Sequence, residues 1–266
     1  MTPRAAITLP VTAGNGTAST RALPQETPVA LVYNGTTLAV MMATPADLTD
    51  FAHGFTLSEG LATAAELGTV ELKEHPNGIE ARQWLPETRA KAMAQRRRTM
   101  AGPVGCGLCG IDSLDQAARD VPRVGPGVAI SVTEIGAALD GLRSAQPLHD
   151  ETRAVHAAGL WTGRMDLVRE DVGRHNALDK LIGAMARQGA IPTTAIPATL
   201  VLTARISVDM VQKSAMAGFC TIISVSAPTV AGVQLAETAG ITLVTQNRQG
   251  TQVFTHPHRI LAGEPQ

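Results

Sequence analysis

The 266-residue chain is poor in aromatic side chains: 2 Trp, 1 Tyr and 4 Phe make up 3% of it. Its core must therefore be filled by aliphatic side chains and alanine, and a hydrophobic content of 44% supplies them. Neither sign of charge predominates. Lys and Arg number 22 against 23 Asp and Glu, a net charge of −1, so the basic excess of a dedicated nucleic-acid binder is missing. No apolar run is long enough to span a bilayer. The opening Met1-Thr2-Pro3-Arg4-Ala5-Ala6-Ile7 has no hydrophobic stretch of signal-peptide type. Three cysteines are too few for a disulfide framework and fit a reducing compartment, where thiols react or bind metal. The expectation is a cytoplasmic protein with no membrane or nucleic-acid partner, large enough for one large core or two smaller ones.

Two of those cysteines stand three residues apart in Gly105-Cys106-Gly107-Leu108-Cys109-Gly110. Glycine frees the backbone and leaves little bulk around the sulfurs, so the pair reads as an accessible loop. Thiolate is the reactive form, and Arg96-Arg97-Arg98 upstream favours it. Four readings of Cys106 and Cys109 are open: small buried residues, half of a zinc site, a redox pair, or a sulfur carrier. In the last, one thiolate takes sulfane sulfur as a persulfide and passes it on, and the second thiol helps release it.

Residues 1–24 read as a flexible N-terminal segment. Residues 25–126 read as an N-terminal α+β region carrying the cysteine loop. Val29-Ala30-Leu31-Val32-Tyr33 and Thr37-Leu38-Ala39-Val40-Met41-Met42 flank Asn34-Gly35, a strong hairpin signal. Thr44-Pro45 looks like the cap and first turn of a helix carrying Leu48, Phe51, Ala52 and Phe55 and ended by Gly60. Residues 121–127 read as a linker, and 127–266 as an α/β core that opens with a strand at 128–132 and a helix capped by Thr133. Apolar strands at 198–203, 221–226 and 241–245 alternate with helices near 207–217 and 229–239. That pattern implies a parallel βαβαβ sheet covered on both faces.

In such sheets ligands bind beyond the carboxyl ends of the strands. Those ends carry Arg205 and Ser207, then Thr229, then Gln246-Asn247-Arg248-Gln249-Gly250-Thr251. Ser207 and Thr229 stand at helix starts, which favour anions, so a phosphate-bearing ligand is expected. Arg169-Glu170-Asp171-Val172-Gly173-Arg174-His175-Asn176 is either a plain helix entry, capped by Asn176 with Asp171 pairing Arg174, or a ligand-binding loop with His175 as acid, base or donor. His156 lies among small residues and is equally a core histidine or a ligand contact. Lys213 reads as a solvated helix position with a minor claim on phosphate, and Cys220 as buried and inert.

Taken in order, seven segments resemble the FdhD family of formate dehydrogenase accessory sulfurtransferases. They are Pro28-Val29-Ala30-Leu31-Val32-Tyr33-Asn34-Gly35, Gly54-Phe55-Thr56-Leu57-Ser58-Glu59-Gly60, the Cys106/Cys109 loop, and Glu170-Asp171-Val172-Gly173-Arg174-His175. Ala177-Leu178-Asp179-Lys180, Met210-Val211-Gln212-Lys213-Ser214-Ala215 and Thr255-His256-Pro257 complete the set. The resemblance implies a cytidine-deaminase-like layered α/β fold and a homodimer. It implies that Cys106 takes sulfur from a cysteine desulfurase, with Cys109 as accessory thiol. The sulfur goes to a molybdenum or tungsten bis(pterin guanine dinucleotide) cofactor serving formate dehydrogenase. It also places cofactor binding at Gln246 to Thr251, a site that GDP is expected to share. His156, Asp171 and His175 are candidate proton handlers, and Arg205 a further cofactor contact. No resident metal is expected. Two other functions compete. One is a chaperone that only shelters the cofactor. The other is a zinc-dependent deaminase-like hydrolase, whose H-x-E motif would be His149-Asp150-Glu151, out of order with the cysteines.

Overall fold

The computed structural model describes residues 4–89, 121–189 and 198–261. Cys106, Cys109 and the arginine run lie outside them. The first described strands, β1 (Ala6–Thr12) and β2 (Ala18–Pro24), pair antiparallel with each other and with no other strand among the described residues. The expected flexible lead-in is thus a β-hairpin, and both of its faces are largely exposed.

β3 (Thr27–Tyr33) and β4 (Thr36–Ala43) form the hairpin announced by Asn34-Gly35. Both turn residues have positive φ, 48° and 77°, the geometry that Asn-Gly favours because it matches the twist of the strands. Helix α1 (Leu48–Ser58) follows, and Gly60, at φ 66°, sits just past its end. Its start differs from the sequence reading. Asp47 occupies the N-cap position, while Thr44 is drawn into cross-layer bonds described below. β5 (Glu71–His75) and β6 (Gly78–Gln83) complete a four-stranded sheet in the order β4-β3-β6-β5. Its inner face, with Val29, Leu31, Ile79 and Ala81, packs on Phe51, Ala52 and Phe55 of α1.

The second half begins with β7 (Ile130–Ser131) and α2 (Val132–Arg143). The cap of α2 is Ser131 rather than Thr133. Ser131 and Glu134 exchange side-chain and backbone bonds in a capping box. Then come α3 (Pro147–Thr152), the antiparallel pair β8 (His156–Trp161) and β9 (Met165–Asp171), and α4 (Arg174–Arg187). The alternating series follows: β10 (Thr199–Leu202), α5 (Val208–Met216), β11 (Thr221–Ser224), α6 (Val230–Ala239) and β12 (Thr242–Asn247). β13 (Gly250–Val253) folds back on β12, and β14 (Ile260–Leu261) pairs with β7. The six-stranded sheet has the order β13-β12-β11-β10-β8-β9. β10, β11 and β12 are parallel as expected, while β8, β9 and β13 extend the sheet antiparallel.

Successive strand residues face opposite ways, so each strand serves two cores. Leu200, Leu202, Ile222 and Leu243 meet α4, α5 and α6. Val201, Ile223 and Val244 meet Ile135, Leu139 and Leu142 of α2. The two halves are joined where α1 crosses α4. A Cβ on Gly54 would lie 1.6 Å from the Asp179 carbonyl oxygen, and one on Gly183 would lie 1.8 Å from that of Asp50. Only glycine at both places lets the two backbones come this close. No helix among the described residues is long and apolar enough to cross a membrane.

Candidate functional site at the carboxyl edge of the sheet

β8 runs antiparallel to β10, so its first residue, His156, lies at the same edge as the carboxyl ends of the parallel strands. The loop after β10 is stitched to it: the Ala157 amide donates to Thr203 Oγ1 at 2.9 Å, and the Thr203 amide returns a bond to Ala157 O at 3.2 Å. His156 also pairs in register with Asp171, the last residue of β9, and α4 begins three residues later. The edge therefore gathers His156, the Asp171 turn, Arg174, His175 and the 203–207 loop. Burial lowers the His156 pKa, Arg174 and His149 add to this, and Asp171 opposes it.

Asp171 is not available to a ligand, contrary to its reading as a proton handler and cofactor contact. It has no exposed surface. One carboxylate oxygen accepts from the Thr44 amide at 3.0 Å and lies 2.6 Å from Lys180 Nζ. The other accepts from the Gly173 amide at 2.8 Å and Asn176 Nδ2 at 3.0 Å. Its partner is Lys180, not Arg174, and Asn176 stands inside α4 rather than capping it. Thr44 closes the knot, accepting from the Val172 amide through Oγ1 and from Lys180 through its carbonyl. This carboxylate shapes the entry to α4 and holds β4 against it.

His175, in the first turn of α4, is 8% exposed and bonded through Nε2 to Oδ2 of Asp209, in the first turn of α5. Arg174 Nη2 is 4.0 Å from the same oxygen. Burial pulls the His175 pKa down to about 4. Asp209 and Glu59 resist that change, while Arg174 and Lys213 assist it.

Lys213 is not the solvated position expected. It is 7% exposed and reaches both Asp179 oxygens and Ser58 Oγ at 2.9 Å, with Glu59 at 3.0 Å. Burial opposes its charge, but Asp179 and Glu59 outweigh burial and hold its pKa above the ordinary lysine value. It binds α1, α4 and α5 together and has no free proton to offer phosphate.

Arg205 is exposed in the loop after β10. Residues 246–251 are not a free loop. Gln246 and Asn247 end β12, Gly250 and Thr251 begin β13, and only Arg248 and Gln249 make the turn. Asn247 Oδ1 accepts from the Gln249 amide at 2.8 Å, and the Gln246 amide group packs by Gly136 of α2. This hairpin stands three strand spacings from β8, roughly 14 Å along the edge. It and His156 can be reached together only by an extended ligand. Cys220 is buried, its Sγ directed to Ala198 O at 3.5 Å.

Asp209, Glu59, Asp179 and Lys180 had no functional role in the sequence reading. Asp209 carried a usable signal, an acid two residues past Ser207 at a strand-end helix start. The others needed the three-dimensional meeting of segments more than a hundred residues apart.

Comparison with known proteins gives one consistent answer. The model of the FdhD/NarQ family matches residues 24–261. A "Sulfur carrier protein FdhD" from Agrobacterium fabrum is 49% identical over 247 residues, covering 91% of this chain and 90% of that protein. A protein of the same name from Bordetella bronchiseptica is 46% identical, covering 90% and 87%. A crystal structure from Desulfotalea psychrophila, assigned as a formate dehydrogenase accessory protein, superposes with a TM-score of 0.73 at 27% identity. It covers 96% of this chain and 98% of its own.

Proposed function

Because the chain belongs to the FdhD/NarQ family, we propose that it is a cytoplasmic sulfur carrier acting as a sulfurtransferase, with Cys106 as the carrying thiol and Cys109 as its accessory. The observation that carries this reading is similarity over nine-tenths of the chain to proteins called sulfur carriers, within a matched span that includes both cysteines. In the loading step the Cys106 thiolate attacks the outer sulfur of a persulfide on a cysteine desulfurase. The donor's S–S bond breaks, its cysteine leaves with the electron pair, and Cys106 gains one sulfur with no net oxidation.

The acceptor is a molybdenum or tungsten bis(pterin guanine dinucleotide) destined for formate dehydrogenase. The carboxyl edge suits such a substrate. It has the topological position at which open α/β sheets bind nucleotides. His156 and the 246–251 hairpin are also far enough apart for a ligand of two linked nucleotides. The active form is proposed to be a homodimer, which sedimentation tests.

Intact mass after incubation with a desulfurase and cysteine tests the central step. A gain of one sulfur, absent in Cys106→Ala, is expected, together with loss of formate dehydrogenase maturation in that variant. Normal maturation with Cys106→Ala would instead support a chaperone that only shelters the cofactor.

A further inference from the structure

A cavity of about 250 Å³ lies where four segments meet: the root of the β1–β2 ribbon, the entry to α1, the entry to α3 and the edge strand β9. Small-molecule pockets usually enclose roughly 300–1,000 Å³, so this one suits a guest the size of a single side chain. Its walls are mostly aliphatic, among them Pro147, Leu148 and Val168. Three charged side chains interrupt them: Asp47, Arg169 and Glu170.

The one cation is already committed. Arg169 Nε and Nη2 donate to Asp50 Oδ2 at 2.9 and 2.8 Å, and Nη1 donates to Val168 O at 2.9 Å. Asp47 is 3.6 Å from Arg169 Nε, beyond hydrogen-bond reach. It holds the N-cap position of α1, yet its side chain caps no amide. Glu170 has no ion pair among the described residues. Its two oxygens accept only the amides of Leu148 and His149, at 2.9 and 2.7 Å. Each oxygen has two lone pairs and so retains one. Lys180 serves Asp171, which faces the other side of β9. Burial raises the Glu170 pKa and Asp150 adds to this, while the two amides and His149 oppose it. The carboxylate is thus short of compensation. With Asp50 and its second partner Arg187 counted, the surroundings carry one negative charge in excess.

We propose that this cavity binds an aliphatic ammonium group, with the charged nitrogen donating to Glu170 and the alkyl stem lying along Pro147, Leu148 and Val168. Asp47, its side chain 45% exposed, adds negative potential that draws the cation in. A lysine side chain of a partner protein and a free diamine of similar length share this chemistry. The inference stands apart from the sulfur-carrier reading, which its failure leaves intact.

The test uses n-butylammonium, n-butanol, putrescine and Nα-acetyl-lysine methylamide as probes of the full-length protein. Amide NMR reads the Leu148 and His149 resonances, because both N–H groups share the Glu170 carboxylate with the guest. Butylammonium is expected to shift both and to bind about tenfold more tightly than butanol, the worth of one hydrogen bond to a charged group. Glu170→Gln should weaken butylammonium by about tenfold, and Asp47→Asn by about threefold. Butanol binding as tightly as butylammonium, or unmoved Leu148 and His149 amides, overturns the inference. So does unchanged affinity in Glu170→Gln. Should that variant not fold, unchanged affinity in Asp47→Asn, which leaves the amide contacts of Glu170 in place, is decisive instead. Blocked lysine competing with putrescine assigns the cavity to a lysine side chain of a partner protein. Putrescine binding with blocked lysine excluded assigns it to a free diamine.

Discussion

Lys180 and Asp171 have no exposed surface, and their charges lie 2.6 Å apart. Such a pair is a weak source of net stability, yet breaking it is costly, because the survivor is left charged and dry. Lys180→Met is expected to lower stability by about 3–5 kcal/mol in urea unfolding. His175 makes the opposite kind of demand. Its folded pKa, about 4, lies below the ordinary value of 6.5, so the unfolded chain binds more protons between those limits. Stability should rise with pH through that window. On acidification from pH 7 to pH 4 the His175 share of the loss is about 3 kcal/mol. His175→Gln should flatten the stability curve between pH 4 and 6.5, and urea titrations at several pH values read this directly. At this scale the sequence disclosed residue types better than roles. Asp171 stood out as a polar residue in a loop, but its four partners come from Thr44, Gly173, Asn176 and Lys180, and no local pattern announces the first of these. Lys213 looked solvated because helical spacing does not tell which polar face will meet a second helix.

Helices α1 and α4 meet with no room for a methyl group on either glycine of the crossing. The atoms in the way are backbone carbonyls, which no rotamer change can move. Gly54→Ala and Gly183→Ala should each cost at least about 2 kcal/mol, seen as a lowered Tm or as loss of folded protein. A milder effect belongs to α2, where Ser131→Ala removes one half of the capping box and should cost about 1 kcal/mol. Elements with a continuous apolar signal were legible: β10, β11 and β12 with α5 and α6 between them, and the Asn34-Gly35 hairpin. β8 and β9 were not. β9 is a half-buried edge strand rich in charge, and His156 heads a strand of small residues whose burial comes from layers on both sides. The Ser131-to-Glu134 signature was present in the sequence, yet Thr133, nearer the apolar run, drew the assignment.

Across the whole molecule the layers run sheet, α1, then α4 to α6, sheet and α2. The β1–β2 hairpin joins neither large sheet, rests through β2 against α3, and lies almost entirely outside residues 24–261, the span of the family match. A chain lacking residues 1–22 is expected to melt within about 3 °C of the full-length protein, since an exposed two-stranded ribbon adds little stability. A larger drop in scanning calorimetry would show that the ribbon carries part of the core's stability. The parallel pairing of β10, β11 and β12 was foreseen because apolar strands alternating with helices imply parallel crossovers. The pairing of β8 beside β10, which carries His156 to that edge, was not, because an antiparallel neighbour obeys no such rule.

The bonds from Thr44 to Asp171, Val172 and Lys180 have a mechanical consequence. They rivet the end of the small sheet to the doorway of α4, alongside a helix crossing that admits no slack. The two plates are thereby held as one body rather than hinged like a clam.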